Sequence, residues 1–127
     1  LVGFHGVINE NAAEHTQLMQ KDVDLLLEGM WNGTKNLLTR SKKGHMPRLL
    51  VQITYNEPHF FIGELLERLT LEPEKGKREE EFEDVTDFKI NTGELNKLLT
   101  KYWDKIETVK VVNQDDRLQL TEDIKTK

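Results

Sequence analysis

The chain predicts an α+β fold, with two helices on one face of an antiparallel sheet. Three observations carry this. Leu49, Val51, Ile53 and Tyr55 alternate with Arg48, Leu50, Gln52 and Thr54, the period-two signature of a strand. Val23, Leu26, Leu27, Met30, Leu37 and Leu38 recur at helical spacing. Leu95, Leu98, Leu99, Tyr102 and Ile106 trace a second helical stripe further along.

The elements follow in order. Residues 1–8 read as a short strand, with Val2, Phe4 and Ile8 as its apolar positions, followed by a polar turn at Asn9-Glu10-Asn11. The first helix begins at about Asp22. Gly29 and Gly33 inside it each cost roughly 1 kcal/mol relative to alanine, which points to close packing against them. Lys35 and Arg40 fall near its end, where cations suit the dipole. Gly44 and Pro47 stop the helix, and the strand of 48–55 begins. Asn56-Glu57-Pro58 turns the chain, making 59–63 the expected hairpin partner. Residues 72–87 hold eight acids and three bases, with Pro73 and Gly76, and read as a charged, flexible insert rather than core. Order resumes at Phe88, and Asn91 with Glu94 resembles a capping box for the second helix. Residues 108–112 and 117–120 read as a last hairpin across Asn113-Gln114-Asp115-Asp116, with a frayed tail after Thr121. Strand, helix, strand, strand, insert, helix, strand is the split βαβ pattern of ferredoxin-like folds. Residues 1–127 are expected to form one such domain.

Composition narrows the function. A length of 127 residues and a hydrophobic fraction of 36% suit one modest core. With no cysteine there is no disulfide framework, no thiolate chemistry and no sulfur-ligated metal, and this suits a reducing cytoplasm. No apolar run approaches the roughly 20 residues that span a bilayer, and the start lacks the pattern of a signal peptide. Leu1-Val2-Gly3-Phe4 reads as a strand already under way, so residues are expected upstream.

Charge is unevenly placed. The chain carries net charge -5, yet 29–56 contain Lys35, Arg40, Lys42, Lys43 and Arg48 and no acid. A protein this acidic binds a polyanion only through a local patch, and this is the candidate. Its bland reading is a helix end with favourable cations, then a polar turn into a strand. Three details favour a ligand. No acid compensates the cations; Asn36, Thr39 and Ser41 are neutral donors of the kind that fix phosphate and ribose register; and Gly44 lets backbone come close. Single-stranded RNA needs a basic track and side chains that splay bases, for which Trp31, His45, Met46 and Tyr55 lie nearby, although Trp31 and Tyr55 are more often core.

Other chemistry lacks residues. His5, His15, His45 and His59 have no metal-ligand spacing. Glu79-Glu80-Glu81-Phe82-Glu83-Asp84 lacks the glycine and spacing of a calcium loop. Gly33-Thr34-Lys35 lacks the earlier glycine of a Walker loop. No catalytic residue, metal site or cofactor is assigned.

One resemblance is dense across residues 4–55. It runs through Phe4-His5-Gly6-Val7-Ile8-Asn9, Asp22-Val23-Asp24-Leu25-Leu26-Leu27, Trp31-Asn32-Gly33-Thr34-Lys35-Asn36, Thr39-Arg40-Ser41-Lys42 and Met46-Pro47-Arg48-Leu49-Leu50. These residues resemble the repeated backbone subunit of type I CRISPR surveillance complexes (Cascade), closest to the type I-B form. The looser continuation includes Phe61-Ile62-Gly63-Glu64-Leu65. The resemblance implies the later portion of a longer protein with a modified RNA-recognition-motif palm. It implies a filament of copies on guide RNA, partnered by other Cascade subunits and reading target DNA through the guide, without nuclease activity. Lys35, Asn36, Arg40, Ser41, Lys42, Lys43 and Arg48 are then the positions expected to touch RNA or a neighbouring copy. Two alternatives stay open: a protein-interaction module whose basic patch docks on an acidic surface such as 72–87, and an RNA-processing endonuclease using His5 or His45.

Overall fold

The computed structural model describes residues 1–36 and 46–127. The chain divides into two units, Val7–Arg48 and Leu1–Gly6 with Leu49–Lys127. The α+β class stands, built from helices and mainly antiparallel strands in a form compatible with a ferredoxin-like fold.

In the first unit, α1 spans Glu10–Thr16 and α2 spans Gln20–Lys35. The sequence reading has only a turn where α1 stands. Asn9 caps this helix, its side-chain oxygen accepting the Ala12 N–H at 2.8 Å. At the start of α2 the Asp22 carboxylate accepts the Met19 N–H at 2.9 Å. Val23, Leu27 and Trp31, spaced by four, are its half-buried stripe, while Leu25, Leu26 and Met30 are exposed. Among the described residues, no atom beyond the chain neighbours and the helix's own nearby backbone comes within 4 Å of where a Cβ would stand at Gly29 or Gly33, so the close packing expected there is not found among them.

The second unit is built on β1 (Leu49–Tyr55), β2 (Thr70–Pro73), β3 (Phe88–Asn91), α3 (Gly93–Lys101), β4 (Ile106–Asn113) and β5 (Gln119–Leu120). β1 pairs antiparallel with β4, from Leu49 opposite Asn113 to Tyr55 opposite Ile106. A separate sheet runs β2-β3-β5, antiparallel between β2 and β3 and parallel between β3 and β5. The alternation expected of β1 is present: Leu49, Val51, Ile53 and Tyr55 pack against a core of Ile62, Leu95, Leu99, Ile106, Val109 and Ile124. A second core joins Val85, Phe88, Ile90 and Leu118.

Four local expectations are corrected. Residues 1–8 form no strand, and Phe4 is 83% exposed. A strand needs a partner ladder, and no described strand pairs with this segment. Residues 59–63 do not return along β1 either. His59 takes a left-handed φ of 62°, and the Ile62 N–H goes to the Tyr55 hydroxyl at 3.1 Å. The strands near 108–112 and 117–120 exist but do not pair with each other. Between them Asp115 is buried, and its side-chain oxygen accepts the Arg117 N–H at 3.0 Å, turning Leu118 into the second core. The tail after Thr121 is held, not frayed. Ile124 fills the first core, and Val109 and Lys127 exchange backbone hydrogen bonds of 3.1 and 3.2 Å.

Two buried polar side chains hold that tail. Thr92 donates its hydroxyl to the Glu122 carbonyl at 2.6 Å. Asn96 donates to the Glu122 carboxylate and the Asp123 carbonyl, each at 2.9 Å, and accepts the Lys125 N–H at 3.0 Å. A helix whose inner face carries an amide is thereby satisfied by chain from about 30 residues later.

The expectation that 72–87 contains no core is also corrected at its far end, where Val85 and Asp87 are buried. Lys75 and Gly76 both have positive φ, and the Lys77 N–H closes the turn on the Glu74 carbonyl. From this turn Lys77 and Lys75 reach Asp87 at 3.1 and 3.5 Å. The Glu83 N–H, then the Lys77 ammonium and the Asp84 N–H, hold the Asp87 carboxyl well below the usual range against the opposing effect of burial. A carboxyl depressed in the folded state stabilises the fold above its unfolded pKa, and that contribution is lost as pH falls through the acid range. The thermal midpoint is therefore expected to fall steadily below about pH 4, where an unfolded aspartate begins to bind a proton. Asp87→Asn is expected to lower the midpoint at pH 7 and flatten its acid dependence. Melting curves from pH 7 to 3 check both.

Candidate nucleic-acid interface

The basic stretch starts on α2. Lys35 is the last residue of the helix and is exposed, a position where a cation also meets the negative end of the helix dipole. Asn36 is the C-cap: its N–H donates to the Asn32 carbonyl at 2.9 Å, leaving the exposed amide side chain on the surface. Among the described residues Lys35 makes no ion pair. Arg48 is half-buried immediately before β1. Arg40, Ser41, Lys42 and Lys43, like His45, lie outside the described residues. The structure thus places Lys35 and Asn36 together at one helix end.

The candidate base-stacking side chains separate. Tyr55 belongs to the core of the second unit, with its ring edge-on to Phe60 at 5.4 Å. Burial pushes its hydroxyl above the usual value, against the opposing bond from the Ile62 N–H. Trp31 is half-buried on α2, and Met46 is exposed.

The acids of 72–87 are largely engaged inside the chain. Asn91 donates to Glu72 at 2.6 Å, Lys89 pairs with Glu74 at 3.2 Å, and Arg78 pairs with Glu81 at 3.2 Å. Arg117 pairs with Asp84, which the Thr86 hydroxyl also contacts at 2.6 Å. That hydroxyl first, and the Arg117 charge after it, lower the Asp84 carboxyl below its ordinary value. With Asp87 held by two lysines, five of the eight carboxylates have partners, and this segment offers less free negative charge than its sequence implies.

Residues that sequence reading passed over lie in the second unit. Lys125 and Lys127 stand over the Trp103 ring, 6.0 and 5.0 Å from its centroid, and Lys101 stands 5.2 Å from the Tyr102 ring. Nothing local joins the two tail lysines to Trp103. They meet because Thr92 and Asn96 hold the tail against α3.

Among the described residues no group of three histidines or carboxylates is placed to hold a metal ion. No described helix is long and apolar enough to cross a membrane.

Comparison with known proteins agrees with the residues that carry the resemblance. A family model described as CRISPR-associated protein Cas7 matches residues 1–93. A CRISPR-associated protein Cas7 from Haloferax volcanii is 37% identical over 118 residues, covering 92% of this chain and 34% of that protein. The chain therefore spans about a third of the length of this relative. The matched region includes α1, α2, the whole basic stretch and β1 to β3, and on these grounds the chain belongs to the CRISPR-associated protein Cas7 family.

Proposed function

We propose that this chain is the later portion of the repeated backbone subunit of a type I-B-like Cascade complex, forming a palm that binds guide RNA. One observation carries the reading: 29–56 hold five cations and no acid in a chain of net charge -5, inside the region matched to the family. Lys35, Asn36, Arg40, Ser41, Lys42, Lys43 and Arg48 grip the ribose-phosphate backbone or meet a neighbouring copy. Contacts to phosphate fix register without reading bases, which suits a subunit that must hold any guide and leave its bases free for target DNA. Other copies and other Cascade subunits are its protein partners, in the cytoplasm, and it does no chemistry on RNA itself. The internal pairing of the acids in 72–87 favours this reading over one in which that segment is the docking surface for the patch.

Fluorescence anisotropy with labelled single-stranded RNAs of unrelated sequence tests it. Affinities are expected to agree within about threefold across sequences, as backbone contacts dictate, and repeat-containing RNA is expected to emerge uncut. Strong preference for one sequence, absence of binding, or a cleavage product would count against it.

A further inference from the structure

We propose that Trp103, Lys125 and Lys127 form a second contact for single-stranded nucleic acid, in which the ammonium groups hold phosphate and the indole stacks on a base. An open cleft of about 430 Å³ is lined by Thr100, Trp103, Lys125 and Thr126. The cleft is open to solvent, so a ligand there lies along a surface rather than inside an enclosed pocket. Its walls combine what a nucleotide unit requires: positive charge, two hydroxyls and a flat aromatic surface.

The lysines are positioned without being neutralised. Lys125 Nζ donates to Thr100 Oγ1 at 2.6 Å, and Lys127 Nζ donates to the Trp103 carbonyl at 2.7 Å. Each ammonium has three donors and spends one on an uncharged oxygen. Neither makes an ion pair among the described residues, in contrast to Lys105, which Glu57 holds at 3.3 Å. Both chain segments are anchored, Thr100 by donating to the Asn96 carbonyl and the tail by Asn96 and Val109. The backbone that carries the pair is therefore fixed, and a ligand has only the two lysine side chains to reorder.

The geometry also selects the ligand class. An acidic peptide would use the ammonium groups but leave the indole idle. A nucleotide uses both, since stacking of a base on the ring is stronger than an exposed cation–π contact, and the displaced lysine moves to phosphate. The site lies in the second unit and shares no residue with 29–56, so it stands or falls separately from the guide-binding reading.

Trp31→Phe leaves Trp103 as the sole tryptophan of the chain. Oligo(U) RNA and oligo(dT) DNA are then titrated while indole emission and the anisotropy of a labelled strand are followed. Saturable quenching of the emission is expected as a base stacks on the indole. Lys125→Ala with Lys127→Ala, at an unchanged circular dichroism spectrum, is expected to shift the quenching midpoint at least about fivefold. Adding Arg40→Ala and Lys42→Ala instead is expected to weaken anisotropy binding while quenching persists. Emission that stays constant while anisotropy reports a bound strand would overturn the proposal. So would equal quenching by poly-glutamate, or loss of quenching in the Arg40/Lys42 variant alone.

Discussion

Leu99→Ala is expected to destabilise the fold by about 2–5 kcal/mol, the cost of removing buried methyl groups and leaving a cavity. Leu99 is fully inaccessible and sits where α3 meets Ile106, Val109 and Ile124. Those neighbours lie on β4 and on the clamped tail, each fixed by its own hydrogen bonds, so the space cannot easily close. Because whole domains are stable by only about 5–15 kcal/mol, the loss removes a large share. For a domain of 60–100 residues, where 1 kcal/mol moves the midpoint by about 4–8 °C, the shift should exceed roughly 8 °C. Leu25→Ala on the exposed side of α2 is the contrasting control, expected within about 0.5 kcal/mol of the parent. Denaturant melts of the three proteins check the ranking.

The second large effect concerns RNA. Arg40→Ala combined with Lys42→Ala is expected to weaken single-stranded RNA binding about 10- to 100-fold, or ~1.4–2.8 kcal/mol, at every sequence tested. A hydrogen bond to a charged group contributes roughly 1.5–3 kcal/mol when desolvated, and an exposed phosphate contact gives less. Two such contacts account for the range. The thermal midpoint is expected to change by less than the affinity does, as substitutions outside a packed core commonly allow. Loss of affinity together with loss of folding would not distinguish binding from structure, so melts accompany the titrations.

Local chemistry in this chain was legible where a single period or a single charge decided it. The alternation in β1 and the stripe Leu95, Leu98, Leu99 and Tyr102 reappear in what packs on the core, whereas Ile106, read as the end of that helix, begins β4 because α3 stops at Lys101. Pairing was not legible, because it depends on partners far away. β4 is a strand in either arrangement, but its Val-rich run joins β1 rather than the nearby 117–120. The tail reads as polar from Thr121 to Lys127, and only the buried amide of Asn96 and the lone Ile124 reveal that it has a seat. Asp87 reads as one more acid in an acidic run until the Lys75–Gly76 turn brings two ammonium groups to it.

The candidate site divides the same way. Its charge asymmetry is a property of composition and needs no coordinates. Lys35 and Asn36 fall at a helix end, as the stop signals Gly44 and Pro47 further on anticipate only coarsely. Trp103 with Lys125 and Lys127 was invisible, since more than 20 residues separate the ring from its lysines and only the clamped tail unites them.

The salt dependence of RNA affinity tests the central electrostatic claim most directly. Five phosphate contacts from 29–56, at ~0.7 each for single strands, give a log–log slope of about -3.5, and removing Arg40 and Lys42 should bring it to about -2.1. A slope near zero in the parent, or one unchanged in the double variant, would contradict the account.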